Sequence, residues 1–307
     1  MGGDPADLAV RRGRVWLLPF AGGAALEACA GELVAREPNI HLYLRDRAVS
    51  AVRDGDRLAE IELASGTVLK AKAAIDCTGS AALCRMAGAE VVWPDCPALA
   101  GYGMEVRQVE EAQAEPLGLS ISVPLRLRRE ADEGRLAPHL AFTTWEPGCS
   151  PGTGWIKLAI PANSAVRARE DADAVWSALA GDPAFGRAQV VRHLPFVLPR
   201  EAGRLRGIYT LTGDDVLAAR KFPDAIARNA WPLEQWNEGK GVSFRYLPDG
   251  ESHDVPVQCL RPDIGPENLF CAGAAISADS DAAASIRVMG VCMATGEAAA
   301  HQCLDFL

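Results

Sequence analysis

Long apolar runs are missing from this chain of 307 residues, and so are paired cysteines, paired histidines and an excess of basic charge. No segment reaches the roughly 18 consecutive apolar residues of a membrane span, so a helical membrane protein is not expected. Lys and Arg number 31 against 40 Asp and Glu, a formal charge of −9. That balance argues against nucleic acid or an anionic membrane as the partner. The opening Met1-Gly2-Gly3-Asp4 has neither the basic start nor the apolar stretch of a signal peptide, and the expected compartment is the cytoplasm. None of the nine cysteines forms a CxxC, and the closest two are Cys77 and Cys84. Buried free thiols are the expectation, with a redox dithiol at Cys77 and Cys84 as the sharper alternative. The five histidines fall into no HxxxH or HxxE pair, and no metal site is expected.

What is present is an ordinary globular composition, 49% hydrophobic and 23% charged, in a chain long enough for one large or two medium domains. Glu27 to Arg36, with Pro38 beyond, reads as a short helix. From His41 the period changes to alternation, broken at Asp54-Gly55-Asp56 and Ser65-Gly66. This predicts a three-stranded meander followed by a buried fourth strand, AAID, and a short helix closed by Gly88. Further on, VPLRLRRE and GWIKLAIP read as strands, and REDADAVWSALAGDP as a helix with acidic residues in its first turn. A second helix is expected from Gly213 through VLAARKFPDAIARNA, interrupted at Pro223, and a terminal one from about Ile286 to Leu304. The order predicts an α/β fold split by an inserted α+β domain: residues 1–92 and 255–307 form one unit and 93–254 the other.

Three stretches carry the chemistry: AAIDCTGSAALCRMAGAEV, REAGRLRGIYTLTGDDVLAARKFPDAIA, and DVPVQCLRP followed by NLFCAGAAISADSDAAASIRVMGVCMATGEAAA. Together and in this order they resemble the FAD-dependent oxidoreductases that share a glutathione-reductase-like flavin domain. The resemblance implies FAD as cofactor, hydride transfer from a small organic substrate to the flavin, and a cofactor site containing Thr78, Gly79, Ala272, Gly273, Ser285, Arg287, Val288 and Met289. Independently of it, Ile75 to Gly79 ends a buried strand at the sheet edge where open α/β folds bind ligands. Gly79 permits close backbone approach; the resemblance implies that the helix N-terminus at Ser285 to Met289 faces the flavin, where its dipole suits negative charge. Arg287 adds a cation, or forms an ordinary ion pair. Arg200, Arg204 and Arg206 suit an anionic ligand or internal ion pairs. His253 and Arg204 are the candidate catalytic residues. Two positions depart from the resembling family: Ala274 stands where a basic residue is common, and Asp279-Ser280 where an aromatic or histidine is frequent. Asp279 and Asp281 are expected to repel a pyrophosphate.

A flavin domain of this kind opens on a strand, a GxGxxG turn, a helix and a second strand ending in an acidic residue. The sequence has no such motif. Phe20 to Ala25 is the nearest glycine cluster, while Gly101-Tyr102-Gly103 and Gly148 to Gly154 sit in the other unit. The resemblance therefore implies an incomplete flavin domain. Three explanations stay open: a separate polypeptide carrying the nucleotide-binding half, a truncated gene product, or a relative that has lost FAD and serves as a scaffold or regulatory subunit. The first and third imply a partner polypeptide or a homo-oligomer covering the exposed edge.

Overall fold

The computed structural model describes residues 10–12, 15–17, 23–95, 99–111, 118–148, 150–237 and 239–307. A short hairpin, β1 (Val10–Arg12) and β2 (Val15–Leu17), precedes α1 (Gly23–Arg36). The glycine cluster at Phe20 lies largely outside the described residues.

The expected meander is present as β3 (Ala48–Asp54), β4 (Arg57–Leu63) and β5 (Val68–Lys70), paired antiparallel in that order. The expected fourth strand is β6 (Ala74–Asp76), with Asp76 buried and Ala74 and Ile75 only partly so. It pairs in parallel with β17 (Leu269–Cys271), nearly two hundred residues later, in the register Phe270 to Ile75 and Cys271 to Asp76. Asn268 fixes this return of the chain. Fully buried, it accepts from the Leu58 N–H at 2.8 Å and donates to the Leu58 and Lys72 carbonyls at 2.9 and 2.8 Å. One amide side chain thereby satisfies three backbone groups that burial would otherwise leave unpaired. Helix α2 (Ala82–Met86) follows β6 and ends before Gly88, as the sequence implies.

Between these halves lies a four-stranded antiparallel sheet in the order β11-β8-β10-β9, where β8 is Ala100–Arg107, β9 Thr144–Pro147, β10 Thr153–Ile160 and β11 Gln189–His193. Its inward residues Met104, Val106, Ile156, Leu158 and Ile160 are buried against α3 (Leu119–Asp132) and α4 (Ala168–Leu179). The stretch VPLRLRRE, expected to be a strand, belongs to α3. Leu119, Val123 and Leu127 recur every four residues and are buried together, so helical burial overrides the local Leu-Arg alternation. Pro124 is accommodated because the carbonyl that loses its donor belongs to exposed Ser120.

The helix expected from Gly213 is also shorter than the sequence implies. Helix α5 covers Gly213–Leu217, opened by a reciprocal capping box between Thr212 and Asp215, and Ala219 at φ 52° ends it. The following Ala225–Asn229 is strand β13, paired antiparallel with β16 (His253–Pro256). Two short antiparallel pairs complete the sheets: β7 (Val91–Val92) with β12 (Arg204–Leu205), and β14 (Leu233–Asn237) with β15 (Gly241–Arg245). The expected terminal helix is α7 (Met289–Cys303), and a short helix the sequence reading did not include, α6 (Ser280–Ile286), precedes it across Arg287-Val288. Only Val291, Thr295 and Ala299 of α7 are fully buried, a narrow stripe against β17 and its neighbours.

Candidate functional site

The parallel pairing of β6 with β17 brings two turns side by side at the carboxyl end of the strands. After β6, Asp76 organises the first. Its buried carboxylate accepts from the Thr78 N–H at 2.9 Å, the Thr78 hydroxyl at 2.6 Å and the Cys84 N–H at 2.8 Å. Thr78 Oγ1 in turn accepts from the Ala82 N–H at 3.0 Å, so the hydroxyl is already used in closing the turn onto α2. Gly79 then takes φ 75°, and Gly273, after β17, takes φ 76°. Neither has any atom within 4 Å of where a Cβ would stand. Both positions need the left-handed backbone, and both face open space.

Helix α7 closes the third side. The Gly273 N–H donates to Thr295 Oγ1 at 2.9 Å, which donates to the Cys292 carbonyl at 2.9 Å. Thr295 is the seventh residue of the helix, so the helix start at Met289 lies about 9 Å from it along the axis. The first turn starts at Val288 with no side-chain cap, and Met289 and Gly290 are exposed. The thiols here are raised by burial: Cys292, with Cys77 close enough to add to the effect, and Cys77 itself, beside Asp76. Cys271 is raised further by its contact with Cys84. Cys84 thus faces Cys271 rather than Cys77, and among the described residues no cysteine is in a disulfide. Cys29 and Cys77 are exposed, contrary to the expectation of general burial, and no cluster of described residues suits a metal ion.

The remaining sequence-nominated residues are held elsewhere. Ser285 and His253 are fully buried and meet around Asn229. Asn229 Nδ2 donates to Ser285 Oγ at 2.9 Å and stands 3.0 Å from His253 Nε2, while Ser285 Oγ donates to the Trp231 carbonyl at 2.6 Å. An amide nitrogen can only donate, so His253 Nε2 accepts and the ring proton sits on Nδ1, toward the Asp254 carbonyl at 3.3 Å. Burial pushes the imidazole down to about 4, and it is neutral at pH 7. Ala272 is likewise buried. Arg204 is 3% exposed and donates to Glu201 at 2.6 Å, the Ala278 carbonyl at 2.8 Å and Ser280 Oγ at 3.1 Å. Arg206 faces Glu90 at the surface.

Asp279 and Asp281, expected to repel an anion, are both engaged. Asp279 caps α6 through the Ala282 N–H at 2.7 Å and also accepts from the Gly213 N–H at 3.0 Å, joining the starts of α5 and α6. Asp281 pairs with Arg245 at 2.9 Å. Arg287 donates to the Arg200 and Glu234 carbonyl oxygens at 3.1 and 2.6 Å, and burial lowers its basicity. Of the eight sequence-nominated cofactor residues, Thr78, Gly79 and Gly273 lie in the two strand-end turns, and Val288 and Met289 form the start of α7. Sequence reading missed Asp76, whose signal was the Asp two residues before Thr78, and Asn229, which had none.

A family model described as FAD dependent oxidoreductase matches residues 10–304, and the chain belongs to that family. No curated protein matches. Among solved structures, one similar chain is a geranylgeranyl bacteriochlorophyll reductase-like protein from Thermoplasma acidophilum. It is 10% identical, with a TM-score of 0.42, over 92% of this chain and 52% of that one. The flavin-dependent brominase Bmp2 is 13% identical with a TM-score of 0.40, over 91% and 54%. PqsL of P. aeruginosa, as a quadruple mutant, is 13% identical with a TM-score of 0.36, over 91% and 58%. The chain spans about half the length of these structures.

Proposed function

We propose that this chain forms part of an FAD-dependent oxidoreductase acting on a small organic molecule, and that its strand-end turns hold the cofactor. The observation that carries this reading is the pair Gly79 and Gly273. They lie in the turns just past two adjacent parallel strands, share the same left-handed backbone, and have no atom where a Cβ would stand. A cradle of that kind fits a flat ring or a phosphate against bare backbone. The uncapped start of α7 beside it fits the partial negative charge of such a group through its free N–H groups. Bound FAD would supply hydride acceptance from the substrate, chemistry that protein side chains lack.

The chain's own residues would contribute placement. Asp76 and Thr78 fix the first turn, Thr295 fixes the second, and Val288 and Met289 present the helix start. Ala272, Ser285 and His253 support these elements from inside the core and would not touch the ligand. In this reading residues 1–92 and 255–307 are a partial flavin domain and 93–254 an inserted substrate domain. A partner polypeptide, or a second copy, completes the nucleotide site. Purification of the full chain, alone and with neighbouring gene products, tests this. Flavin retained more tightly by a stoichiometric complex than by the chain alone supports the reading. Colourless material in both preparations, unresponsive to added FAD, instead supports a cofactor-less scaffold subunit.

A further inference from the structure

Arg200, Arg287, Glu234 and Trp236 form a second group of functional side chains. Arg200 lies over the Trp236 ring, with its guanidinium carbon 3.8 Å from the centroid. Its buried Nε has no hydrogen-bond partner. Arg204 and Arg206 each face a glutamate, whereas among the described residues neither Arg200 nor Arg287 has a carboxylate partner. Glu234 is near, but both its oxygens are taken by indole N–H groups, from Trp231 at 3.1 Å and Trp236 at 2.6 Å. Burial brings Arg200 down to about 10, and the adjacent Arg287 adds to the effect. The two half-buried guanidiniums share Glu234; Glu201 also acts on Arg287 but is paired with Arg204 at 2.6 Å, so one positive charge is left uncompensated. The nearby Lys157 does not alter that balance, because it pairs with Glu146.

Holding like charges together out of water is costly unless an anion joins them. We propose that Arg200 and Arg287 bind the carboxylate of a small monoanionic organic molecule. A guanidinium fork matches a carboxylate in two parallel hydrogen bonds; Arg200 Nε is buried without a protein partner, while Arg287 already uses one N–H of each terminal nitrogen on a backbone carbonyl. The single net charge favours a monoanion over a phosphate dianion. Trp236 stacking keeps the Arg200 plane fixed before the ligand arrives, which lowers the ordering cost of binding. Arg287 is followed directly by Val288 and the exposed first turn of α7, so the anion site borders the strand-end cradle. Calling the bound molecule a substrate rests on the flavin reading; the anion site itself does not.

The test uses the full chain without flavin, at constant ionic strength, with propionate and inorganic phosphate as probes. Tryptophan fluorescence should change saturably with propionate, and phosphate should act more weakly. Arg200→Gln should weaken the propionate response by about tenfold or more. In the wild-type chain, propionate should slow phenylglyoxal modification of Arg200 and Arg287, mapped by mass spectrometry, a readout that requires no variant to fold. No saturable response and no protection, or a response equal in Arg200→Gln, would overturn the proposal; phosphate binding as tight as propionate would overturn the monocarboxylate assignment. A chain that shows propionate protection yet binds no FAD keeps the anion site and loses only the flavin reading.

Discussion

His253 and Asn229 stand directly opposite each other on β16 and β13, and the amide of Asn229 donates to His253 Nε2 across 3.0 Å in a fully buried setting. The same amide holds Ser285, so one asparagine ties the β13–β16 pair to the helix that leads into the strand-end region. The imidazole is locked as a neutral acceptor and structural post.

This predicts an acid-sensitive fold. The folded imidazole titrates near 4, against about 6.5 in an unfolded chain. The unfolded state therefore takes up the proton first, and stability is fully present above pH 6.5. It falls as the pH drops from 6.5 to 4 and levels off below that, by at most about 3 kcal/mol from this group. Urea midpoints at pH 7.5 and 5 measure the effect. In His253→Gln, which keeps an acceptor for Asn229 without a titrating ring, this component of the pH dependence should vanish.

Arg204 should behave as a structural residue. Removing it leaves Glu201 buried without its partner, so Arg204→Ala is expected to cost about 3–5 kcal/mol in denaturant unfolding. Its three donors are all engaged inside the protein. A variant with unchanged stability and a specific loss of turnover would return it to the catalytic candidates.

Asp279 should matter for the helix junction. Asp279→Ala removes the α6 cap and the acceptor of the Gly213 N–H, with an expected loss of about 1–3 kcal/mol by thermal or urea unfolding. Asp279→Asn, another good cap, should lose less than half of that.

Native thiol labelling should separate the cysteines. Among the described residues, Cys29 and Cys77 should react first, because both are exposed, while Cys84, Cys259 and Cys271 should wait for unfolding. Although the residue is exposed, partial desolvation of its thiol and the neighbouring Asp76 carboxylate raise Cys77, so its labelling should accelerate as the pH is raised.

The parts of the fold legible in the sequence were those whose burial follows local alternation. The meander, β6, β10, α4 and the strand at Leu269 all have their pattern within a few residues. Where local pattern and tertiary burial disagreed, burial prevailed: Leu119, Val123 and Leu127 made a helix out of an apparent Leu-Arg strand. Ala225–Asn229 became a strand because its partner at His253–Pro256 was available, a fact absent from its own neighbourhood. The two strand-end turns were legible at Gly79 and Gly273, each a glycine two or three residues past an apolar strand. The site was illegible at Asn229 and at the Arg200–Trp236 stack, whose partners lie 24 and 36 residues away.

Gly79 and Gly273 carry the proposed cofactor site. Alanine at either position should cost only about 1–2 kcal/mol of stability, from the left-handed backbone, because no atom stands in the way. Titrating the full chain with FAD, followed by quenching of flavin fluorescence, tests whether that open space is a cradle. Weak, saturable binding is expected, falling by about tenfold or more in Gly79→Val and Gly273→Val while the variants remain folded. Absence of saturable binding, or equal binding by the folded valine variants, would contradict that proposal.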